Sequence, residues 1–122
     1  MRSVLIVDDE SDALVELAEG LQEYDIPCIA ANNIENALAV LQGEPGIGAI
    51  VTDLRMPGGS GLSLLRLARK MEVLDGKAVF LVSGYLDSQV FIDVAALGID
   101  VEALPKPLDI DGIAHTLAAY LA

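Results

Sequence analysis

The chain has 122 residues, 53% of them hydrophobic and 21% charged, which suits one packed domain, residues 1–122, and excludes a second folded domain or a disordered tail. Nineteen acidic residues against seven basic ones give a formal net charge of −12, so a nucleic-acid backbone is repelled and no nucleic acid is expected to bind this domain alone. Without an apolar run of the ~20 residues needed to cross a bilayer, and with Met1 leading almost directly into a strand-like run, the expectation is a cytoplasmic protein with no membrane partner.

The first predicted strand is Val4-Leu5-Ile6-Val7, and the helix after it carries Leu14, Leu17, Ala18 and Leu21 at i, i+3, i+4, i+7. On that helix Glu16, Glu19 and Glu23 make an acidic stripe, ordinarily a solvated face. Cys28-Ile29-Ala30 reads as the second strand. Its lone cysteine can form no intramolecular disulfide and reads as a buried core thiol. A second helix follows from Ile34, Ala37, Leu38 and Leu41, then a third strand at Ala49-Ile50-Val51-Thr52. Leu64, Leu67, Ala68 and Met71 define the stripe of a third helix, preceded by the turn Gly58-Gly59-Ser60-Gly61, which caps it.

Val79-Phe80-Leu81-Val82 is the fourth strand, and a fourth helix over Ser88 to Leu97 is read from Phe91, Val94 and Ala95. A weaker strand at Val101-Glu102-Ala103-Leu104 precedes a fifth helix carrying Ile110, Ile113, Ala114, Leu117 and Leu121. Gly20, Gly43, Gly76 and Gly98 fall near helix ends, where a left-handed residue favours glycine, although Gly20 is early for its helix. His115 lies on the fifth helix away from the strand ends and is given no role. Five apolar strands alternating with five helices predict a doubly wound α/β fold with a five-stranded parallel sheet covered on both faces.

Such sheets bind ligands beyond the carboxyl ends of their strands. There the first strand ends in Asp8-Asp9-Glu10, the third in Asp53 and the fourth in Ser83-Gly84, while the fifth runs into Pro105-Lys106-Pro107. Carboxylates gathered on one rim resist ionising together and call for a cation. Lys106 supplies one charge, and oxygen-only ligands without histidine or cysteine favour Mg2+ over zinc. Nucleotide binding is disfavoured, because Gly58-Gly59-Ser60-Gly61 precedes no Lys-Ser/Thr and Gly46-Ile47-Gly48 leads into a strand. Taken singly, each residue also has a plain structural reading: Asp8 and Asp9 as caps of the first helix, Lys106 as a surface lysine between turn prolines, Ser83 as a strand-end turn residue.

Together, Val7-Asp8-Asp9-Glu10, Asp53-Leu54-Arg55-Met56-Pro57 with Gly61, Ser83-Gly84 and Lys106-Pro107 resemble the receiver domains of bacterial two-component response regulators. The resemblance covers essentially the whole chain. It implies the flavodoxin-like strand order 2-1-3-4-5 and a phosphoryl-accepting switch, not an enzyme, in which Asp53 takes a phosphoryl group from a sensor histidine kinase or histidine phosphotransfer protein. By the same resemblance Asp8, Asp9, Asp53 and the backbone carbonyl of Arg55 hold Mg2+. Ser83 and Lys106 contact the phosphoryl oxygens, Arg55 and Tyr85 flank the group, and the Lys106-Pro107 bond is cis. The first helix is implied as the kinase-docking surface, with its acidic stripe selecting the kinase.

The family pattern is broken at one position: receivers commonly carry an aromatic residue three before the lysine, where this chain has Ala103. The usual aromatic coupling to output is therefore not expected, and Tyr85 stands either as its substitute or as a residue shaping access to the site. A downstream protein or output domain is the implied target, and the chain reads as a free-standing or N-terminal module, monomeric or a weak dimer. Two other functions compete. One is a degenerate receiver that binds partners without phosphorylation. The other, a haloacid-dehalogenase-type phosphatase, needs Asp-x-Asp after its first strand and is disfavoured by adjacent Asp8-Asp9.

Overall fold

The computed structural model describes residues 1–56 and 59–122; Pro57 and Gly58, expected in the motif after Asp53 and in the helix-capping turn, lie outside the described residues. In chain order the elements are β1 (Ser3–Val7), α1 (Ser11–Gln22), β2 (Cys28–Ala31), α2 (Ile34–Gly43), β3 (Ile47–Asp53), β4 (Arg55–Met56), β5 (Gly59–Ser60), α3 (Gly61–Lys70), β6 (Ala78–Ser83), α4 (Ser88–Ala95), β7 (Glu102–Pro105) and α5 (Ile110–Leu121). Five strands form one parallel sheet of order β2-β1-β3-β6-β7. This is the expected 2-1-3-4-5 order once the short antiparallel pair β4–β5 is set aside.

Alternate residues of each strand feed two cores. Leu5, Val7, Ile50 and Leu81 pack with Ala37 and Leu41 of α2, with Leu64, Leu65 and Ala68 of α3, and with Val94 of α4. Val4, Ile6, Val51 and Phe80 pack on the opposite face against Leu14 and Leu21 of α1 and Ile113, Leu117 and Leu121 of α5. Every residue of β3 is buried, and each leucine removed from water contributes roughly 2 kcal/mol.

The fold corrects three expectations drawn from periodicity. On α3 the buried stripe is Gly61, Leu64, Leu65 and Ala68, not Leu64, Leu67, Ala68 and Met71; Leu67 is 44% and Met71 37% exposed. On α4 the inward residue is Val94, with Val90 packed against the core and Leu97 buried just beyond the helix, while Phe91 and Ala95 face solvent. Gly20 ends no helix, since α1 continues to Gln22. It is small because a Cβ there would meet Ile110 Cγ2 at 2.6 Å, which lets α1 and α5 pack closely. Among the described residues the left-handed ones are Asp25, Glu72, Gly76 and Gly98. No helix among the described residues is long and apolar enough to cross a membrane.

Candidate functional site

β1, β3 and β6 are in parallel register, so their carboxyl ends stop together and deliver Asp8, Asp53 and Ser83 to one rim. Asp53 closes β3, and its chain is tied to the neighbours by Leu54 N–H donating to the Val82 carbonyl at 2.9 Å. The Asp53 carbonyl accepts from the buried Thr52 hydroxyl at 3.0 Å. Its side chain is nearly buried, with the residue only 9% exposed.

Asp8 leaves β1 with its N–H donating to the Ala31 carbonyl, and its Oδ1 accepts from Glu10 N–H at 3.0 Å. The N-cap of α1 is Glu10, with no side-chain capping bond, so helix capping does not account for Asp8 and Asp9. One carboxylate oxygen from each of Asp8, Asp9 and Asp53 lies within 4.8 Å of the others. At an effective dielectric of about 20, two such anions repel by roughly 3 kcal/mol before screening by water and salt. Burial first, then the Asp53 charge, raises the Asp8 carboxyl above its ordinary value.

Lys106 answers that charge. Its Nζ donates to Asp53 Oδ2 at 3.1 Å and lies 3.9 Å from Asp8 Oδ2. Partial burial works against the ammonium, but the hydrogen bond to Asp53 and the charges of Asp53, Asp8 and Glu10 outweigh it and hold its pKa above the ordinary value. The lysine is delivered by its own N–H donating to the Ser83 carbonyl at 2.9 Å, and the Lys106-Pro107 bond is cis, as the family resemblance implied.

Ser83 is brought to the rim but not into the ion cluster. Its hydroxyl donates to the Tyr85 carbonyl at 3.0 Å and accepts from Tyr85 N–H at 3.1 Å. The Tyr85 ring is exposed, so it packs into no pocket as a stand-in for the missing aromatic beside the half-buried Ala103. Arg55 sits in β4 opposite Ser60 with its residue exposed. Cys28 is half-buried and burial pushes its thiol up to about 11, the behaviour of an inert thiol. His115 packs edge-on against Tyr24 with ring centroids 5.5 Å apart, away from the rim.

Gly61, quoted in the motif after Asp53 but given no role of its own there, proves to be a positioning residue. Gly61 follows the N-cap Ser60, whose hydroxyl accepts from Ser63 N–H at 3.2 Å, and Gly61 N–H donates to the Leu54 carbonyl at 2.8 Å. A Cβ on Gly61 would fall inside contact distance of the Asp53 carbonyl oxygen and 2.9 Å from Leu81 Cδ1. The only local signal was its spacing from Asp53.

The donor set suits a hard divalent cation: carboxylates clustered on one rim, with no histidine or cysteine in the cluster. A cleft of about 300 Å3 opens beside them, with Glu10, Leu14, Leu17, Pro107 and Leu108 among its walls.

Comparison with known proteins gives one answer. A family model described as the response regulator receiver domain matches residues 4–118. The photosynthetic apparatus regulatory protein RegA of Cereibacter sphaeroides is 32% identical over 119 residues, 97% of this chain and 62% of that protein. The two-component response regulator PprB of Pseudomonas aeruginosa is 29% identical over 119 residues, 94% of this chain and 42% of that protein. The chain thus spans less than two thirds of either relative. Among solved structures, a response regulator receiver protein from Pseudomonas putida superposes with a TM-score of 0.86 at 32% identity, covering 98% of both chains. The chemotaxis protein CheY4 of Vibrio cholerae gives 0.88 at 22% identity over 99% of both, a likeness of fold.

Proposed function

Because this chain belongs to the family of response regulator receiver domains, we propose that it is a phosphoryl-accepting signalling switch in which Asp53 is the acceptor. Residues 1–122 act in this reading as one cytoplasmic receiver module, monomeric or weakly dimeric, charged by a sensor histidine kinase or histidine phosphotransfer protein and read by a downstream protein or output domain. The observation that carries it is the contact of Lys106 Nζ with Asp53 Oδ2 at 3.1 Å, inside a carboxylate cluster on the rim of the sheet.

In the forward step an Asp53 carboxylate oxygen attacks the donor's phosphorus in line. A P–O bond forms as the P–N bond of the phosphohistidine breaks, and the electron pair stays with the imidazole. Phosphoryl transfer of this kind needs positioning and neutralised charge more than an acid or a base. Lys106 supplies positive charge at the acceptor oxygen, while Thr52 and Gly61 fix the Asp53 backbone. The Ser83 hydroxyl exchanges its Tyr85 carbonyl acceptor for a phosphoryl oxygen. Asp8, Asp9, Asp53 and the backbone carbonyl of Arg55 would hold Mg2+, which when bound supplies positive charge against the phosphoryl oxygens. The return is self-hydrolysis: water attacks phosphorus, the Asp53 P–O bond breaks, and inorganic phosphate leaves.

Borohydride reduces an aspartyl phosphate to homoserine and so marks the acceptor. After incubation with acetyl phosphate and Mg2+, peptide mapping is expected to find homoserine in place of Asp53 alone. Homoserine in place of Asp8 or Asp9, or no conversion at all, overturns the assignment.

A further inference from the structure

The α3 face turned away from the sheet has no part in the chemistry above and is unlike the rest of the surface. α3 reads GLSLLRLARK and contains no acidic residue, although the chain carries 19 acids against 7 bases. Arg66, Arg69 and Lys70 place three of those seven bases on this one helix. Among the described residues the only ion pairs are those of Lys106, so the α3 cations have no carboxylate partner within 4 Å. Arg69 points its guanidinium toward Gly98. Arg66 and Lys70 remain exposed, one turn apart.

Beside that cationic row runs an apolar one. Leu67 and Met71 are also four residues apart, both exposed, and neither packs against the core cluster that holds Leu64, Leu65 and Ala68. Lysine and arginine at a helix C-terminus complement its dipole, which accounts for Arg69 and Lys70 but not for Arg66 or for two large apolar side chains left in water.

We propose that this face docks an acidic amphipathic helix of a partner protein. The two rows repeat once per helical turn, the spacing that an i±4 ridge on a facing helix presents. Carboxylates of the partner meet Arg66 and Lys70 while its apolar row covers Leu67 and Met71. Charge decides among occupants. Duplex nucleic acid or an anionic membrane presents a broad negative surface to the whole molecule, and the net charge of −12 opposes both. A single helix meets only the basic strip, and charges beyond about 8 Å are screened at physiological salt. This surface is independent of the Asp53 chemistry, and either reading can fail without the other.

The probe is a synthetic helix of about 16 residues, roughly four turns, with a leucine row beside a glutamate row, titrated into the 15N-labelled protein. A second peptide carries lysine in place of each glutamate. Expected are amide shifts centred on Leu62–Met71 with the acidic peptide alone. They should weaken about tenfold between about 0.05 M and 0.5 M NaCl and vanish in the Arg66→Glu, Lys70→Glu double variant, whose remaining spectrum is unchanged. Absence of shifts in α3, or shifts that survive the double variant, overturns the proposal. Sedimentation of the wild type with phosphatidylserine vesicles, lost in the same variant, overturns it in favour of a membrane.

Discussion

Lys106 Nζ stands 3.1 Å from Asp53 Oδ2 and is the only cation paired with a carboxylate among the described residues. One ammonium therefore faces three carboxylates, a deficit of charge that makes the rim both costly in the free protein and receptive to a divalent cation.

Replacing Lys106 with Met leaves Asp8, Asp9 and Asp53 uncompensated. Because the lysine side chain is 39% exposed, solvent screening limits the expected loss to about 1 kcal/mol. Urea denaturation in chelator checks this, and added Mg2+ should recover much of the difference by binding the folded state alone. Phosphorylation by acetyl phosphate should slow roughly 100-fold, as when one donor to a developing charge is removed. Asp53→Asn acts oppositely on stability, relieving repulsion and raising the melting temperature in chelator.

Gly61→Ala is expected to cost about 2–3 kcal/mol, because the methyl group meets the Asp53 carbonyl and Leu81 rather than a flexible side-chain end. The same change should lower the phosphorylation rate without touching any ligand atom. Equal stability by thermal melting would show that the turn absorbs the methyl group freely.

The Cys28 thiol, pushed up to about 11 by burial, is mostly protonated at pH 8, whereas an unfolded cysteine titrates near about 8.5. Iodoacetamide should therefore alkylate the native protein far more slowly than the urea-unfolded one at pH 8, the gap closing toward pH 11. Since the folded pKa is the higher, Cys28 opposes folding only as pH rises above the unfolded value toward 11. Equal alkylation rates at pH 8 contradict this environment.

With Ala103 where an aromatic ring would couple site to surface, and with the Ser83 hydroxyl held by the Tyr85 backbone, the structural response should stay local. Beryllofluoride with Mg2+, a phosphoryl mimic, is expected to shift amides of Ser83–Leu86 more than those of α4. A displacement of the whole of α4 would refute that picture.

The alternation of elements was legible because apolar strands and helical stripes differ in period, and the rim was legible because each of its residues sits at a strand's carboxyl end. Orientation was less so. On α3, Gly61/Leu64/Leu65/Ala68 and Leu64/Leu67/Ala68/Met71 obey the same i, i+3, i+4, i+7 rule, and the approach of Gly61 to Asp53 selects the first. On α4, Val90/Val94/Leu97 and Phe91/Val94/Ala95 compete likewise. Gly20 is fixed by Ile110, distant in sequence, which no local pattern announces; Gly61 was visible through its spacing in the motif, but its reason, the close approach to the Asp53 backbone, was not. Ser83 was placed on the rim, but its hydroxyl bonds to Tyr85 depend on turn geometry that residue types alone do not specify.

The most direct test of the central claim is the intact mass of the protein after incubation with acetyl phosphate, with and without Mg2+, for the wild type and Asp53→Asn. The account expects one phosphoryl adduct that requires Mg2+ and is absent from the variant. No adduct with any small phosphodonor or a phosphorylated kinase, or an adduct that persists in Asp53→Asn, would contradict it and leave a receiver that binds partners without phosphorylation at Asp53.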